Sequence, residues 1–183
     1  MLLLYPPNQS LSDTMCKPNG SLAYPSLGGA LRRHGTEVRV YDACVGDGSD
    51  DLDEVFYNSP TELPSGLMRT GVSDERILEE VAGYDIVGLT SIFTEQETMV
   101  LNTARLIRSE LPEKILVAGG VNARSRLPQF FGAGFDVVCL SEAETTIVQI
   151  VDVVRESTRP DFSAIKAIAY REGDGYRLSP ADP

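Results

Sequence analysis

Asp85-Ile86-Val87-Gly88-Leu89-Thr90-Ser91 and Lys114-Ile115-Leu116-Val117-Ala118-Gly119-Gly120 follow one pattern. Each is a short apolar run that loses side-chain bulk at its carboxyl end and leads into a helical pattern. Continuous apolar runs of this length read as strands covered on both faces, the condition of a parallel sheet between helices. In such open sheets the carboxyl ends of the strands form the ligand crevice. Two neighbouring strand ends stripped of bulk let something flat or long lie against the main chain, so the pair predicts a binding feature.

Working outward, Leu2 to Tyr5 reads as the first strand, broken by Pro6-Pro7, with a polar loop from Asn8 to about Ser21. A helix is expected from Pro25 to His34, with Gly35 in the usual stopping position. Gly28-Gly29 within it lowers helix stability by roughly 1 kcal/mol per glycine, which points to close packing or to close approach by a ligand. Glu37 to Tyr41 reads as the second strand. The stretch from Ala43 to Val72 is long and acidic, with a short helix expected over 50–57, and loops of such length are usually functional or mobile. Ser73 caps a helix reaching Val81.

Ile86 to Thr90 is the third strand, and Thr94-Glu95-Gln96-Glu97 has capping-box spacing for a helix carrying Val100, Ala104, Ile107 and Leu111 on one face. The fourth strand, Lys114 to Ala118, precedes a helix from about Arg124 to Phe131, which Pro128 should shorten. Asp136 to Leu140 is the fifth strand, and Ser141-Glu142-Ala143-Glu144 repeats the capping-box spacing ahead of a helix to about Ser157. Ala164 to Tyr170, a Gly173-Asp174-Gly175 turn and Tyr176 to Leu178 read as a hairpin. Alternating strands and helices predict an α/β fold: a doubly wound five-stranded parallel sheet, flavodoxin-like with order 2-1-3-4-5, closed by a C-terminal β-hairpin. Residues 1–160 are expected to form the domain and 161–183 the hairpin and a linker.

The chain has 183 residues, enough for one domain with a full core. A formal net charge of −11 argues against nucleic acid as a partner, since phosphates require clustered Lys and Arg. No apolar stretch approaches the roughly 20 residues that a bilayer span needs, and the Met1-Leu2-Leu3-Leu4-Tyr5 opening lacks a basic lead-in. The reading is a cytosolic protein with no membrane partner. Cys16, Cys44 and Cys139 are too few and too scattered for a disulfide framework or a zinc site, and Cys139 reads as a small core residue. His34 is the only histidine, so no metal site built on two imidazoles is expected.

A sheet order alone does not define function. A phosphoacceptor receiver needs an aspartate at the end of the third strand, where Leu89-Thr90-Ser91 stands. Neither G-x-G-x-x-G nor GK[ST] occurs, which removes the dinucleotide and P-loop readings. A flavin mononucleotide carrier stays open, with Asn8, Gln9, Ser10, Ser12 and Thr14 as phosphate donors. So does a cofactor-free interaction module using the acidic loop from Asp47 to Glu62.

The assembled pattern resembles the cobalamin (vitamin B12)-binding domain that precedes the catalytic core in B12-dependent radical SAM enzymes. The resemblance rests on Leu3-Leu4-Tyr5-Pro6-Pro7-Asn8, Tyr24-Pro25-Ser26-Leu27-Gly28-Gly29-Ala30-Leu31, and His34-Gly35-Thr36-Glu37-Val38-Arg39-Val40-Tyr41-Asp42-Ala43. It continues through Tyr84-Asp85-Ile86-Val87-Gly88-Leu89-Thr90, Val117-Ala118-Gly119-Gly120, Phe135-Asp136-Val137-Val138, Ser141-Glu142-Ala143-Glu144 and the closing hairpin. The order and spacing of these pieces carry it, more than any piece alone.

By that resemblance, Thr90 and Ile92 match the positions contacting the nucleotide tail of cobalamin, and Gly119 and Gly120 the double glycine that makes room for it. Ser91 and Thr94 add hydroxyls, and Pro7, Asn8, Val121, Ser141 and Glu142 complete the expected cofactor-binding set. Leucine at Gly120 is expected to fill the tail slot. The histidine that ligates cobalt from below in related methyltransferases and mutases is missing from the Asn8 to Gly20 loop, and Ser141 stands where the family often has glycine. His34 reads instead as a helix-end residue facing the macrodipole.

No C-x-x-x-C-x-x-C cluster motif is present, so the resemblance places the 4Fe-4S cluster and S-adenosylmethionine in a radical SAM domain outside this chain. It implies presentation of the corrin to that partner for methyl transfer, with ring closure or oxygen insertion without methylation as the other outcomes. No catalytic residue and no protein metal ligand are assigned within the chain.

Overall fold

The computed structural model describes residues 1–11, 21–58 and 60–180. Ser12, Thr14 and Cys16, named above, and the final residues 181–183 lie outside the described residues. In chain order the elements are β1 (Leu2–Tyr5), β2 (Asn8–Ser10), α1 (Ala23–Arg33), β3 (Arg39–Asp42), a π-helical turn (Asp53–Tyr57), β4 (Thr61–Glu62) and β5 (Met68–Thr70). There follow α2 (Asp74–Ala82), β6 (Ile86–Thr90), α3 (Thr94–Glu110), β7 (Ile115–Gly119), α4 (Val121–Ser125), α5 (Leu127–Gly132), β8 (Val137–Cys139), α6 (Glu144–Glu156), β9 (Ile168–Glu172) and β10 (Gly175–Leu178).

The main sheet runs β10-β9-β8-β7-β6-β1-β3. The five strands from β3 to β8 are parallel neighbours in the expected 2-1-3-4-5 order. The hairpin is not an appendage. β9 pairs antiparallel with β8, and β10 with β9, so the sheet has seven strands rather than five. A second sheet, β2-β5-β4, was not expected from sequence. It forms because the long segment after β3 folds back and Met68, Arg69 and Thr70 pair with Ser10, Gln9 and Asn8.

Because successive strand residues point to opposite faces, the parallel sheet divides its apolar residues into two sets. Leu2, Leu4, Val87, Leu89, Leu116, Ala118 and Val138 meet Ile77 and Val81 of α2, Val100, Ala104 and Ile107 of α3, and Phe130 and Phe131 of α5. Leu3, Tyr5, Ile86, Val117, Val137 and Cys139 meet Tyr24 and Leu31 of α1 and Ile147, Ile150 and Val151 of α6.

Helix starts differ from expectation in three places. Ser73 caps α2 as foreseen, accepting from the Arg76 N–H at 3.2 Å. At α3 the cap is Phe93, not Thr94. The Gln96 carboxamide oxygen, 3.4 Å from the Ile92 N–H and 3.5 Å from that of Phe93, does the capping from inside the helix. At α6 the cap is Ala143, and the Ser141 hydroxyl does not reach the helix amides but donates to the Glu142 carbonyl at 3.4 Å. The single helix expected over 124–131 is two short ones, α4 and α5, divided at Arg126, with Pro128 in the first turn of the second, where its missing N–H is harmless.

Candidate ligand cleft at the carboxyl edge of the sheet

A cleft of about 430 Å³ opens at the carboxyl ends of β1, β6, β7 and β8, between the sheet and helices α1 and α6. This is within the range of small-molecule and cofactor sites. Strand register explains its floor. Leu3, Gly88 and Val117 lie side by side across β1, β6 and β7 and line the inner end. Two residues further on, on the same face, Thr90, Gly119 and Cys139 form the next tier. Leu27 and Tyr24 of α1 and Ile147 of α6 make the walls.

Gly119 is the residue that keeps this space open. A β-carbon built there would meet no atom within 4 Å, so any larger side chain would project into the cleft. Gly120 has a different role. Its φ is +100°, and a β-carbon would stand 2.3 Å from the Ser91 carbonyl oxygen. The expectation that leucine at Gly120 fills the slot is therefore corrected: glycine is needed there for the backbone turn into α4, and Gly119 is the slot position. Gly28 in α1 likewise has no atom within 4 Å of a built β-carbon, so helix packing does not demand a glycine there.

The turn at Gly120 is held by a polar cluster behind the cleft. The Ser91 carbonyl accepts from the N–H groups of Asn122 (3.1 Å) and Ala123 (3.4 Å), and the Ser91 N–H donates to the Gly119 carbonyl at 2.9 Å. The Asn122 side chain donates to the Ser91 hydroxyl and to Glu97, each at 2.9 Å, and Glu97 pairs with Arg126 at 2.7 Å. Each buried polar atom in this set has a partner, as burial requires.

Tyr24 connects α1 to the sheet at the rung where β1 and β6 part. Its hydroxyl donates to the Leu4 carbonyl at 2.5 Å and accepts from the Thr90 N–H at 3.2 Å. β1 then enters Pro6, which has no N–H to continue the ladder. Burial raises the Tyr24 phenol far above its ordinary value, so it stays protonated. Burial also pushes the Cys139 thiol up to about 12, leaving it neutral and inert.

The mouth is different in character. Leu22, Ile92 and Val121 line it and are exposed, and Phe93, 60% exposed, adjoins Ile92. Ser26, Arg124, Ser141, Glu142 and Glu144 form a polar rim. Ser26 donates to the Glu144 carboxylate, which holds that carboxyl below its usual range. Arg124 donates to the Leu140 carbonyl at 3.4 Å.

Of the residues expected from sequence, Thr90, Ile92, Gly119, Gly120, Val121, Ser141 and Glu142 line the cleft together. Four stand elsewhere. Ser91 is fully buried with its hydroxyl turned to Asn122, and Thr94 is exposed in the first turn of α3. Pro7 packs toward Gly71, and Asn8 lies in β2 opposite Thr70. Leu3, Tyr24, Leu27, Val117, Cys139 and Arg124 were not singled out as site residues. Tyr24 had a signal, since a buried tyrosine next to a proline at a helix start must find a partner for its hydroxyl.

The other two readings also meet the geometry. Asn8, Gln9 and Ser10, the expected flavin phosphate donors within the described residues, are engaged in strand pairing with β5. In the acidic segment, Asp47 and Asp50 face inward onto Arg39 and Arg76. His34 sits at the end of α1, with Nδ1 3.2 Å from the Thr36 hydroxyl and Nε2 3.4 Å from Asp152, outside the cleft lining. Among the described residues no cluster of three or more His, Cys, Asp or Glu side chains is placed to hold a metal ion, and no helix is long and apolar enough to cross a membrane.

An open α/β sheet with a deep, apolar, glycine-relieved slot at its carboxyl edge defines a cofactor- or ligand-binding domain. The chain belongs to the B12-binding domain family, whose model matches residues 20–151. It is also 27% identical over 180 residues to the cytidylyl-2-hydroxyethylphosphonate methyltransferase of Streptomyces wedmorensis, covering 96% of this chain and 32% of that protein's length. The residues present suit such a group: a long tail ending in a flat, largely apolar base needs an inner end without charge and a strand tip without a side chain, and the floor and Gly119 provide both.

Proposed function

We propose that this chain binds cobalamin with its nucleotide tail in the cleft, and presents the corrin over the exposed Leu22, Ile92, Phe93 and Val121 rim to a radical SAM catalytic domain of a cytoplasmic methyltransferase. The observation that carries this reading is the slot at Gly119, open to the residue's missing side chain and floored by Leu3, Gly88 and Val117. Membership in the B12-binding family and the methyltransferase relative support it. That relative is about three times as long as the matched region, which leaves room for a catalytic part carrying the 4Fe-4S cluster and S-adenosylmethionine.

Bound cobalamin would supply the methyl-carrying chemistry, and the chain's own residues do the placing. The Thr90 hydroxyl would meet the tail's base, Gly119 would let the tail pass while Gly120 holds the turn into α4, and Ser26, Ser141 and Arg124 would stand where its ribose and phosphate enter. His34, the chain's one histidine, lies at the end of α1 outside the cleft lining, so the described cleft residues would offer the bound group no imidazole.

Titration of the chain with hydroxocobalamin, followed by the corrin absorption bands and by co-elution on gel filtration, tests the reading. A shift in the bands with retention of colour is expected. An unchanged spectrum and separation of protein from pigment would overturn it.

A further inference from the structure

We infer that the cleft selects cobamides by their lower base, accepting a benzimidazole-type base and rejecting a purine. This rests on the cobalamin reading above and makes it more specific. The inner tier, Leu3, Gly88 and Val117, offers no polar side-chain atom. Leu27 and Ile147, which face it from the helices, offer none either.

The second tier has three groups with hydrogens on O or S, and two are unavailable. The Tyr24 hydroxyl is spent between the Leu4 carbonyl and the Thr90 N–H. Cys139 is 4% exposed and carries a neutral thiol, a weak donor at best. That leaves the Thr90 hydroxyl as the uncommitted oxygen donor of the inner cleft among the described residues. The polar groups Ser26, Arg124, Ser141 and Glu144 are at the rim, where a ribose-phosphate passes, not at the floor.

A benzimidazole nitrogen freed from cobalt needs one donor, and its remaining surface is apolar. Adenine in the same place carries an exocyclic amine and several ring acceptors. The floor would desolvate these and leave them unpaired. A buried polar group without a partner is the strongest source of discrimination a binding site has, stronger than a missing methylene. The Thr90 hydroxyl can donate to one ring nitrogen or accept from the amine, but one hydroxyl cannot serve the amine and all the ring acceptors together, and among the described residues no second uncommitted side-chain oxygen or nitrogen lines the inner two tiers.

The experiment measures the affinity of the chain for three corrinoids: cobalamin, the adenine-bearing cobamide, and cobinamide, which has no nucleotide. Cobalamin is expected to bind best, with the adenine form weaker by about tenfold or more. Val117→Thr, which puts a hydroxyl on the floor at nearly constant volume, should narrow the gap between the two bases. Equal affinities for the cobalamin and adenine forms in the unaltered chain would overturn base selection while leaving cobalamin binding intact. Cobinamide binding as tightly as cobalamin would overturn it too, by removing the tail from the cleft. Failure to bind any corrinoid would overturn the cobalamin reading itself. The comparison in the unaltered chain decides the matter even should Val117→Thr fold poorly.

Discussion

The two faces of the parallel sheet are made by the same strands, yet one is closed and the other open. On the face toward α2, α3 and α5, the strand ends carry Leu4, Leu89 and Ala118, whose side chains are buried in one cluster with Val100, Ala104 and Phe130. On the face toward α1 and α6, the residues one step away in sequence are Gly88, Thr90 and Gly119, and a cleft of about 430 Å³ remains. The difference between core and site is an alternation of single residues, i and i+1, along β6 and β7. Whatever strand ends hold in common, the side chain on each face decides separately.

Substitutions that exchange the character of the two faces should break this contrast, beginning with the closed one. Leu116→Ala leaves a void among fully buried neighbours, and a loss of about 2–5 kcal/mol in urea denaturation is expected. Gly120→Leu forces a side chain into a left-handed backbone against the Ser91 carbonyl, and should lower stability by about 2–3 kcal/mol or more in the same measurement. Gly119→Leu is the opposite case: the fold should persist while cobalamin affinity falls by at least about tenfold, some 1.4 kcal/mol, in spectral titration.

A subtler change sharpens the comparison at the rung where the strands part. Tyr24→Phe keeps the ring and removes the hydroxyl, so a loss of about 0.5–1.5 kcal/mol is expected, with faster amide exchange at Thr90 than at residues of the closed face. The smallest effect belongs to the acidic corner beside β3, remote from the cleft. There the hydroxyl and N–H of Ser49, with the Arg39 guanidinium, hold the Asp47 carboxyl down at about 2. A depressed carboxyl contributes its stability above the ordinary value of 3.8 and loses it as pH falls through about 2, so the urea midpoint should decline across that window. Arg39→Gln should flatten the decline and leave corrinoid affinity unchanged.

The sequence carried the strand order because the parallel runs are apolar and well separated by helical patterns, and nothing in the tertiary structure overrides them. It also carried Gly119 and Thr90, whose small or hydroxylated side chains interrupt those runs visibly. It did not separate Gly119 from Gly120, since only backbone conformation distinguishes an open slot from a left-handed turn. Thr94 and Ser141 have capping-box spacing, yet the cap positions fall on Phe93 and Ala143, so that Gln96 serves the start of α3 and no side chain caps α6. The β2-β5-β4 sheet depends on pairing between residues some sixty positions apart, a contact that local pattern does not encode.

Continuous apolar runs that lose side-chain bulk at their carboxyl ends, separated by helical patterns, thus determined from sequence alone that a parallel sheet would form and that its carboxyl edge would be the place for a ligand. Which face opens, which donor stays free and which is consumed by Tyr24 were decided only when α1 and α6 docked. The reason is physical: a strand specifies the direction of each side chain, but the partners that fill or leave the space before it come from distant parts of the chain.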